Sequence, residues 1–350
     1  MSDNTRVAPA AAGAAGGSTP PGPVTPKVSD GVADSRRGLR HLATKYSMLG
    51  VLVVLIVIAT ILYPGFLNPA NIGNILTQNS AVGLIAIGMT FVIICGGFDL
   101  SVGATYALGA TLYAGLTLQT GSVLVAGIGA LVAGVLVGIL NGLIISRLSI
   151  NPFVATLGTS SIISGVAYIY SNSSPFIVNG VPAFQDLALS RLLGIPLPIW
   201  ILVIAFVLAA FVLAKTTFGR NVYAVGGNYE AAWLTGLRVK GLNASVYVVT
   251  GVLAALAGMM DASRLGVGQA DVGASMALDA IAIVVVGGTS LLGGEGAIWR
   301  SAVGLLILAT LTNVFYSLNV SQNWQLIAKG CIVVAAVGVD AVVRVRKKEG

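Results

Sequence analysis

Twelve acidic residues are spread through a chain of 350, and the ones set within apolar sequence carry the most chemical interest: Asp99, Asp261, Asp279 and Glu295. General acid–base catalysis by paired carboxylates needs both groups at one reacting atom. Asp279 and Glu295 fall at opposite ends of one predicted span, so they cannot meet on it. They read as a cap and a loop residue, and acid–base catalysis is not expected. Asp261 and Arg264 have the spacing of a local ion pair on one helix. The single histidine, His41, precedes the first apolar run, which leaves no pair for a His-based metal site or a Ser–His arrangement. Cys95 and Cys331 each lie inside an apolar run and read as small core residues, without a disulfide or a metal. The glycine-rich string Gly287 to Gly296 lacks the Gly-Lys-Ser/Thr ending that grips nucleotide phosphates, and no such ending occurs elsewhere. No catalytic residue, metal or cofactor is therefore expected on this chain, and it should not bind ATP itself.

What remains is uncharged polar chemistry. A path for an uncharged polar solute requires hydroxyls, amides and aromatic faces that exchange hydrogen bonds without holding it too tightly. Asn151, Thr156, Thr159, Ser160, Ser161, Asn313 and Tyr316 lie in or beside apolar runs and are candidates to line a path, with Phe153 as a constriction; helix packing is the competing role for each. Asp99 and Ser101 are the remaining candidates. Asp99, beside Gly96 and Gly97, is placed either to cap the following helix through amides around Ser101 and Val102, or to act in a solute path or gate, because an intramembrane carboxylate is costly unless paired or wetted.

The elements that must position these groups are membrane helices. Hydrophobic residues make up 56% of the chain and charged residues 9%, against about 25% charge in an ordinary soluble domain, and the mean hydropathy is +0.93. The 45 glycines suit spans that approach closely where lipid supplies no hydrophobic drive. Apolar runs at about 48–63, 75–95, 100–118, 123–145, 153–170, 198–214, 244–264, 276–292, 298–318 and 324–343 predict an all-α polytopic bundle of about ten spans. Breaks are expected near Gly96 and Gly287.

The net charge of +7 comes from short clusters beside apolar runs, without the basic stripe of a nucleic-acid binder. Arg36, Arg37, Arg40 and Lys45 precede the first span, and Arg344, Arg346, Lys347 and Lys348 follow the last. Arg147, Lys215, Arg220, Arg238 and Lys240 alternate onto the same face, and only Arg191 and Arg264 fall near the other. This asymmetry predicts both termini in the cytoplasm. The expected organisation is a disordered tail over 1–35, a membrane-spanning body over 36–343 with a long inner loop at about 215–243, and a short basic end over 344–350.

Within that inner loop, Gly226-Gly227-Asn228-Tyr229-Glu230-Ala231-Ala232-Trp233-Leu234-Thr235-Gly236 predicts a short helix from about Asn228, with Glu230 near its positive end and Gly236 closing it. Glu-Ala-Ala, three residues, then Gly resembles the coupling motif of binding-protein-dependent ABC importer permeases. The stretch Gly96-Gly97-Phe98-Asp99-Leu100-Ser101-Val102-Gly103 resembles a signature of their ribose, xylose and galactose group, with Phe98 in place of the usual isoleucine. Asn141-Gly142, Asn151 to Gly158, Leu278 to Ala282 and Gly287 to Gly296 extend the resemblance, which covers roughly 72–340.

The resemblance implies a multi-pass permease of the bacterial inner membrane that moves a monosaccharide or related polyol by alternating access. It implies docking to an ATPase subunit, single or tandem, through Glu230, Ala231, Ala232 and Gly236, with ATP and Mg held by that ATPase. It also implies an extracytoplasmic solute-binding protein and a second copy of the permease. Two alternatives stay open: the same mechanism with a nucleoside or branched amino acid, and a stand-alone ion-coupled transporter. The latter needs buried ionisable groups in mid-span, whereas Asp99, Asp279 and Lys329 sit near predicted span ends or read as isolated.

Overall fold

A computed structural model describes the backbone from residue 31 to 349 and the side chains from residue 47 to 335 and at 338. Most of the expected N-terminal tail, His41 and the terminal basic clusters lie outside the described residues or side chains. The chain divides into Met1–Lys45 and Tyr46–Gly350.

The order is α1 (Gly31–Leu62), α2 (Pro69–Ile94), α3 (Val102–Thr120), α4 (Val123–Leu148), α5 (Pro152–Ser171), β1 (Phe176–Ile177), α6 (Pro182–Leu189), β2 (Arg191–Leu192), β3 (Ile195–Pro196), α7 (Leu197–Lys215), α8 (Thr217–Gly227), α9 (Tyr229–Leu234), α10 (Val239–Leu265), β4 (Val267–Gly268), α11 (Met276–Val286), α12 (Ile298–Ser317) and α13 (Gln322–Glu349). Every one of the expected apolar runs overlaps one of these helices. Among the described residues six helices, α2, α4, α5, α7, α10 and α12, are long and apolar enough to cross a membrane, and the chain is an all-α, multi-pass membrane protein.

Helix starts follow local chemistry. Asn68 accepts from Ala70 N–H at 2.9 Å ahead of Pro69, and Asn151 accepts from Phe153 N–H at 2.9 Å ahead of Pro152; an amide cap followed by a proline that has no N–H to satisfy is a favourable helix entry.

Helix α10 is the axis of the fold, because α2, α3 and α4 all pack along it. Gly134, Gly138 and Gly142 of α4, one per turn, face Gly251, Val248 and Ala244 of α10. A Cβ on any of the three would stand within 2.5 Å of backbone atoms there. The expected close approach through glycine is thus a backbone-to-backbone seam, as small residues permit in lipid.

The eighth apolar run departs from expectation. Its helix, α11, has 11 residues, about 16 Å of rise, and stops at Val286 instead of running to residue 292. The chain reaches it through an irregular stretch after α10: β4 pairs antiparallel with β1, and at Gly273 the backbone lies against Gly103 of α3, where a Cβ on Gly103 would meet Gly273 O at 2.3 Å. Irregular backbone at this depth is tolerated where protein covers it. The segment between α5 and α7 also folds locally into β1, α6 and the β2–β3 ribbon.

Candidate functional site

Helix α2 ends at Ile94, and the chain turns through Gly96, at φ +86, before α3 begins. The turn carries Asp99, which is 2% exposed. Asp99 Oδ1 accepts from the Ser101 N–H at 2.9 Å and from the Ser101 hydroxyl at 2.6 Å. Ser101 Oγ accepts from Asn141 Nδ2 of α4 at 2.7 Å, and Thr159 of α5 donates to Asn141 Oδ1 at 2.6 Å. Leu100 N–H donates to Thr156 Oγ1 of α5 at 3.1 Å, and Tyr247 OH of α10 donates to Phe98 O at 3.2 Å. Thus Asp99, Ser101, Thr156 and Thr159 form one buried network across α3, α4, α5 and α10. Asp99 does bind an amide at the start of α3, as a cap would, while its partner Ser101 extends the contact to two further helices. Buried networks of this kind specify one arrangement when every member is satisfied.

The same turn meets the loop that holds the predicted coupling segment. A Cβ on Gly226 would fall 1.7 Å from Ile94 O, one on Gly293 would stand 2.9 Å from Gly96 Cα and Gly226 O, and one on Gly294 would stand 2.8 Å from Gly227 Cα. Gly294 N–H also donates to Ile94 O at 2.8 Å. Three glycine segments, from the end of α2, the end of α8 and the turn between α11 and α12, therefore touch through bare backbone. Nearby, Tyr223 OH donates to Gly296 O at 2.8 Å. Burial raises the Tyr223 pKa above the ordinary phenol value, with the Arg300 guanidinium pulling it down, so the hydroxyl remains a donor.

Beyond this junction stands α9. Asn228 caps it, accepting from Ala231 N–H at 2.9 Å, and Gly236 follows it at φ +82, as the sequence leads one to expect. Ala232 is buried at its foot, whereas Glu230, Ala231 and Gly236 are exposed. Trp233 and Leu234 are 64% and 76% exposed, a pair of apolar side chains that the motif alone does not single out. Beside α9 opens a cavity of about 520 Å³ whose wall includes Gly96, Gly97, Ser146, Asn151, Asn243 and Tyr247. Ser146 Oγ, buried there, has no hydrogen-bond partner, and the Cys95 thiol donates to Asn243 Oδ1 at 3.0 Å.

Other candidates lie elsewhere. Asn151 caps α5 and lines the cavity. Phe153 is 52% exposed on the outside of α5, so within one chain it constricts nothing. Asn313 exchanges hydrogen bonds with Asn71, at 3.0 and 3.3 Å, near the far ends of α12 and α2. Asp279 is not a cap: its Oδ1 accepts from Lys329 of α13 at 3.3 Å, so the lysine that read as isolated has a partner 50 residues away in sequence. Asp261 and Arg264 pair as their spacing predicts. Asn141 was legible as an amide inside an otherwise apolar span, and sequence alone gave no sign that it joins Ser101 to Thr159.

Residues 71–337 match the family described as branched-chain amino acid transport system / permease component. The ribose import permease of Bacillus subtilis strain 168 is 43% identical over 290 residues, covering 83% of this chain and 90% of its own. The L-arabinose ABC transporter permease of Azospirillum brasilense is 35% identical over 316 residues, covering 90% and 93%. The D-allose transport system permease of Escherichia coli K12 is 34% identical over 302 residues, covering 85% and 92%. No solved structure matches the chain significantly. With the family model matched from within α2 to within α13 and these relatives covering 83–90% of the chain, the chain belongs to the ABC importer permeases, in the family described as branched-chain amino acid transport system / permease component, among the permeases for monosaccharides.

Proposed function

We propose that this chain is the membrane-spanning subunit of a bacterial inner-membrane importer that moves a monosaccharide or related polyol, D-ribose being the first solute to test, as a homodimer without an ATPase site of its own. A partner ATPase, single or tandem, holds ATP and Mg and docks on α9, and an extracytoplasmic binding protein delivers solute at the opposite end. The observation that carries the reading is α9 itself. It is a six-residue helix fixed by Asn228, Ala232 and the glycine junction, yet it presents Trp233 and Leu234 outward at the end where Arg147, Lys215, Arg220, Arg238 and Lys240 gather. Basic residues of short loops favour the cytoplasm, where an ATPase would be.

A second contrast supports the dimer. Helix α7 has a mean hydropathy of 2.9 and is 22% buried within the chain; α5 is only slightly more buried, at 28%, with a mean hydropathy of 1.4. The exposed side of α7, with Val203, Val207 and Phe211, suits lipid. The open side of α5, where Gly158 and Ser161 interrupt exposed apolar side chains that include Phe153, Val154, Leu157 and Ile162, suits close packing against a second copy of the chain.

The family description favours one rival solute, a branched-chain amino acid; the relatives named for sugars favour a polyol. An ion-coupled mechanism is disfavoured because Asp99, Asp261 and Asp279 are each engaged by a protein partner. The test is uptake into proteoliposomes holding this chain, its ATPase and its binding protein. ATP-dependent D-ribose accumulation is expected, and Gly236→Val, which puts a branched side chain at positive φ for about 1–2 kcal/mol or more, should abolish it with insertion intact. Accumulation driven by a proton or sodium gradient without the ATPase would overturn the reading, as would leucine being the solute taken up.

A further inference from the structure

Both ion pairs among the described residues, Asp261 with Arg264 and Asp279 with Lys329, line one cavity. It lies at the far end of α10 from α9 and measures about 330 Å³, enclosed by α2, α10, α11, α12 and α13. Asn79 of α2 and Thr312 of α12 add an amide and a hydroxyl to its wall. Charges within membrane helices are expensive, and pinning helices together would require only one pair. Here four charges from three helices converge on shared space.

We propose that this cavity binds a neutral, polyhydroxylated solute of monosaccharide size in each subunit, held by the Asp261–Arg264 and Asp279–Lys329 pairs. The inference rests on the importer reading above and adds to it a solute site inside one chain, away from the α5 face.

Charge argues for a neutral ligand. Two carboxylates and two cations cancel, so an ion of either sign gains little, while each hydroxyl of a polyol can donate to a carboxylate and accept from a cation. The second oxygen of each carboxylate already accepts from the protein, Asp261 Oδ2 from the Tyr106 hydroxyl and Asp279 Oδ2 from the Ser275 hydroxyl at 3.3 Å, which leaves their remaining lone pairs, and the cations have donors to spare. Lys329 Nζ, with three donors, bonds only Asp279 Oδ1 among the described residues, and the guanidinium of Arg264 uses its Nε and one terminal nitrogen on Asp261. Their side chains are 16–31% exposed, wetted enough to exchange partners. The volume lies near the lower bound of small-molecule pockets, about 300–1,000 Å³, which suits a single sugar ring.

The test is ligand-observed saturation-transfer NMR of D-ribose on the assembled permease–ATPase complex in nanodiscs, without the binding protein. Transfer to the sugar protons is expected with wild type and not with glycine betaine, a solute that lacks hydroxyls. The double variant Asp279→Asn/Lys329→Gln keeps a hydrogen-bonding pair but removes its charge, and should cut transfer about tenfold, equivalent to ~1.4 kcal/mol of binding. Thr312→Trp, which fills the cavity and leaves both pairs in place, should abolish transfer. No transfer to D-ribose in wild type, equal transfer to betaine, or undiminished transfer in both variants overturns the site. Uptake of D-ribose by the full importer in the absence of such transfer would sink this inference alone. Loss of ATP-driven uptake in the wild type would instead sink the functional reading beneath it.

Discussion

At its start, α10 runs beside a junction of bare backbone; at its end it borders a cavity lined with charge. Near Val246 and Tyr247 the neighbouring contacts are close glycine contacts, mostly backbone against backbone, supported by side-chain hydrogen bonds among Asp99, Ser101, Asn141 and Thr159. Near Asp261 the contacts are ion pairs on flexible side chains that remain partly exposed. The first arrangement has no slack, since a close-packed backbone contact is either made or broken. The second can loosen and re-form around water or a solute. A transporter driven from one end requires such a division, with the driven end moving as a piece and the receiving end able to change partners.

The sharpest way to break this contrast lies at Gly226. A methyl group there meets Ile94 O at 1.7 Å, whereas one on Gly227 meets nothing within 4 Å. Gly226→Ala should remove ATP-driven uptake, because the α2 end and the loop carrying α9 must part. Gly227→Ala should transport almost as wild type. Equal activity of the two variants in the same proteoliposome assay would show that the junction does not transmit motion.

Next in size is the buried network. Asn141→Leu strips Ser101 Oγ of a donor and Thr159 Oγ1 of an acceptor within the protein. Ser101 keeps Asp99 and Thr159 keeps the Thr156 carbonyl at 3.2 Å, so the loss is that of two buried hydrogen bonds at about 0.5–1.5 kcal/mol each, and the purified chain should melt at lower temperature. A melting temperature equal to wild type would mean that the network is decoration, and that glycine packing alone fixes this end.

The two ends also differ in how far the sequence disclosed them. Glycine motifs at Gly96 and Gly287, the capped segment at Asn228 and the ion pair of Asp261 with Arg264 were legible because each follows from residues close in sequence. The Asp279–Lys329 pair joins α11 to α13, and the Ser101–Asn141–Thr159 chain joins three helices; both depend on how helices pack, and no periodicity records that. The surroundings of Phe153 and Asn313 were illegible for the same reason, since polarity and size on a span do not tell which neighbour a side chain faces. The short length of α11 was half legible: Gly287 and Gly288 announced a break, but that the helix proper would end at Val286 depended on Gly287 lying against Arg300 O.

At the charged end the expected effects are smaller and reversible in pairs. Asp279→Ala leaves Lys329 unpaired and should lower stability by about 1 kcal/mol, because both side chains are roughly a quarter exposed and water compensates part of the loss. Adding Lys329→Met should recover most of the melting temperature, as replacing both members of a pair by apolar groups does. If the double variant is less stable than the single, the pair is a structural clamp, and the slack assigned to this end is absent.

The smallest effect is expected at Asn71 and Asn313, which swap amide hydrogen bonds across α2 and α12 at the same end of the molecule. Neither carries charge and neither lines the cavity. Such a pair should contribute what interhelical hydrogen bonds in membranes generally do, about 0.6 kcal/mol in double-mutant cycles, because each amide finds other partners when its mate is removed. A cycle through Asn71→Ala, Asn313→Ala and the double variant, read by thermal melting, measures that coupling free of any contribution from solute. A coupling well above 1 kcal/mol would mean that the far end is held as firmly by neutral amides as the α9 end is by glycine. The softness inferred for the charged cavity would then belong to that cavity alone, and not to the end of the bundle in which it sits.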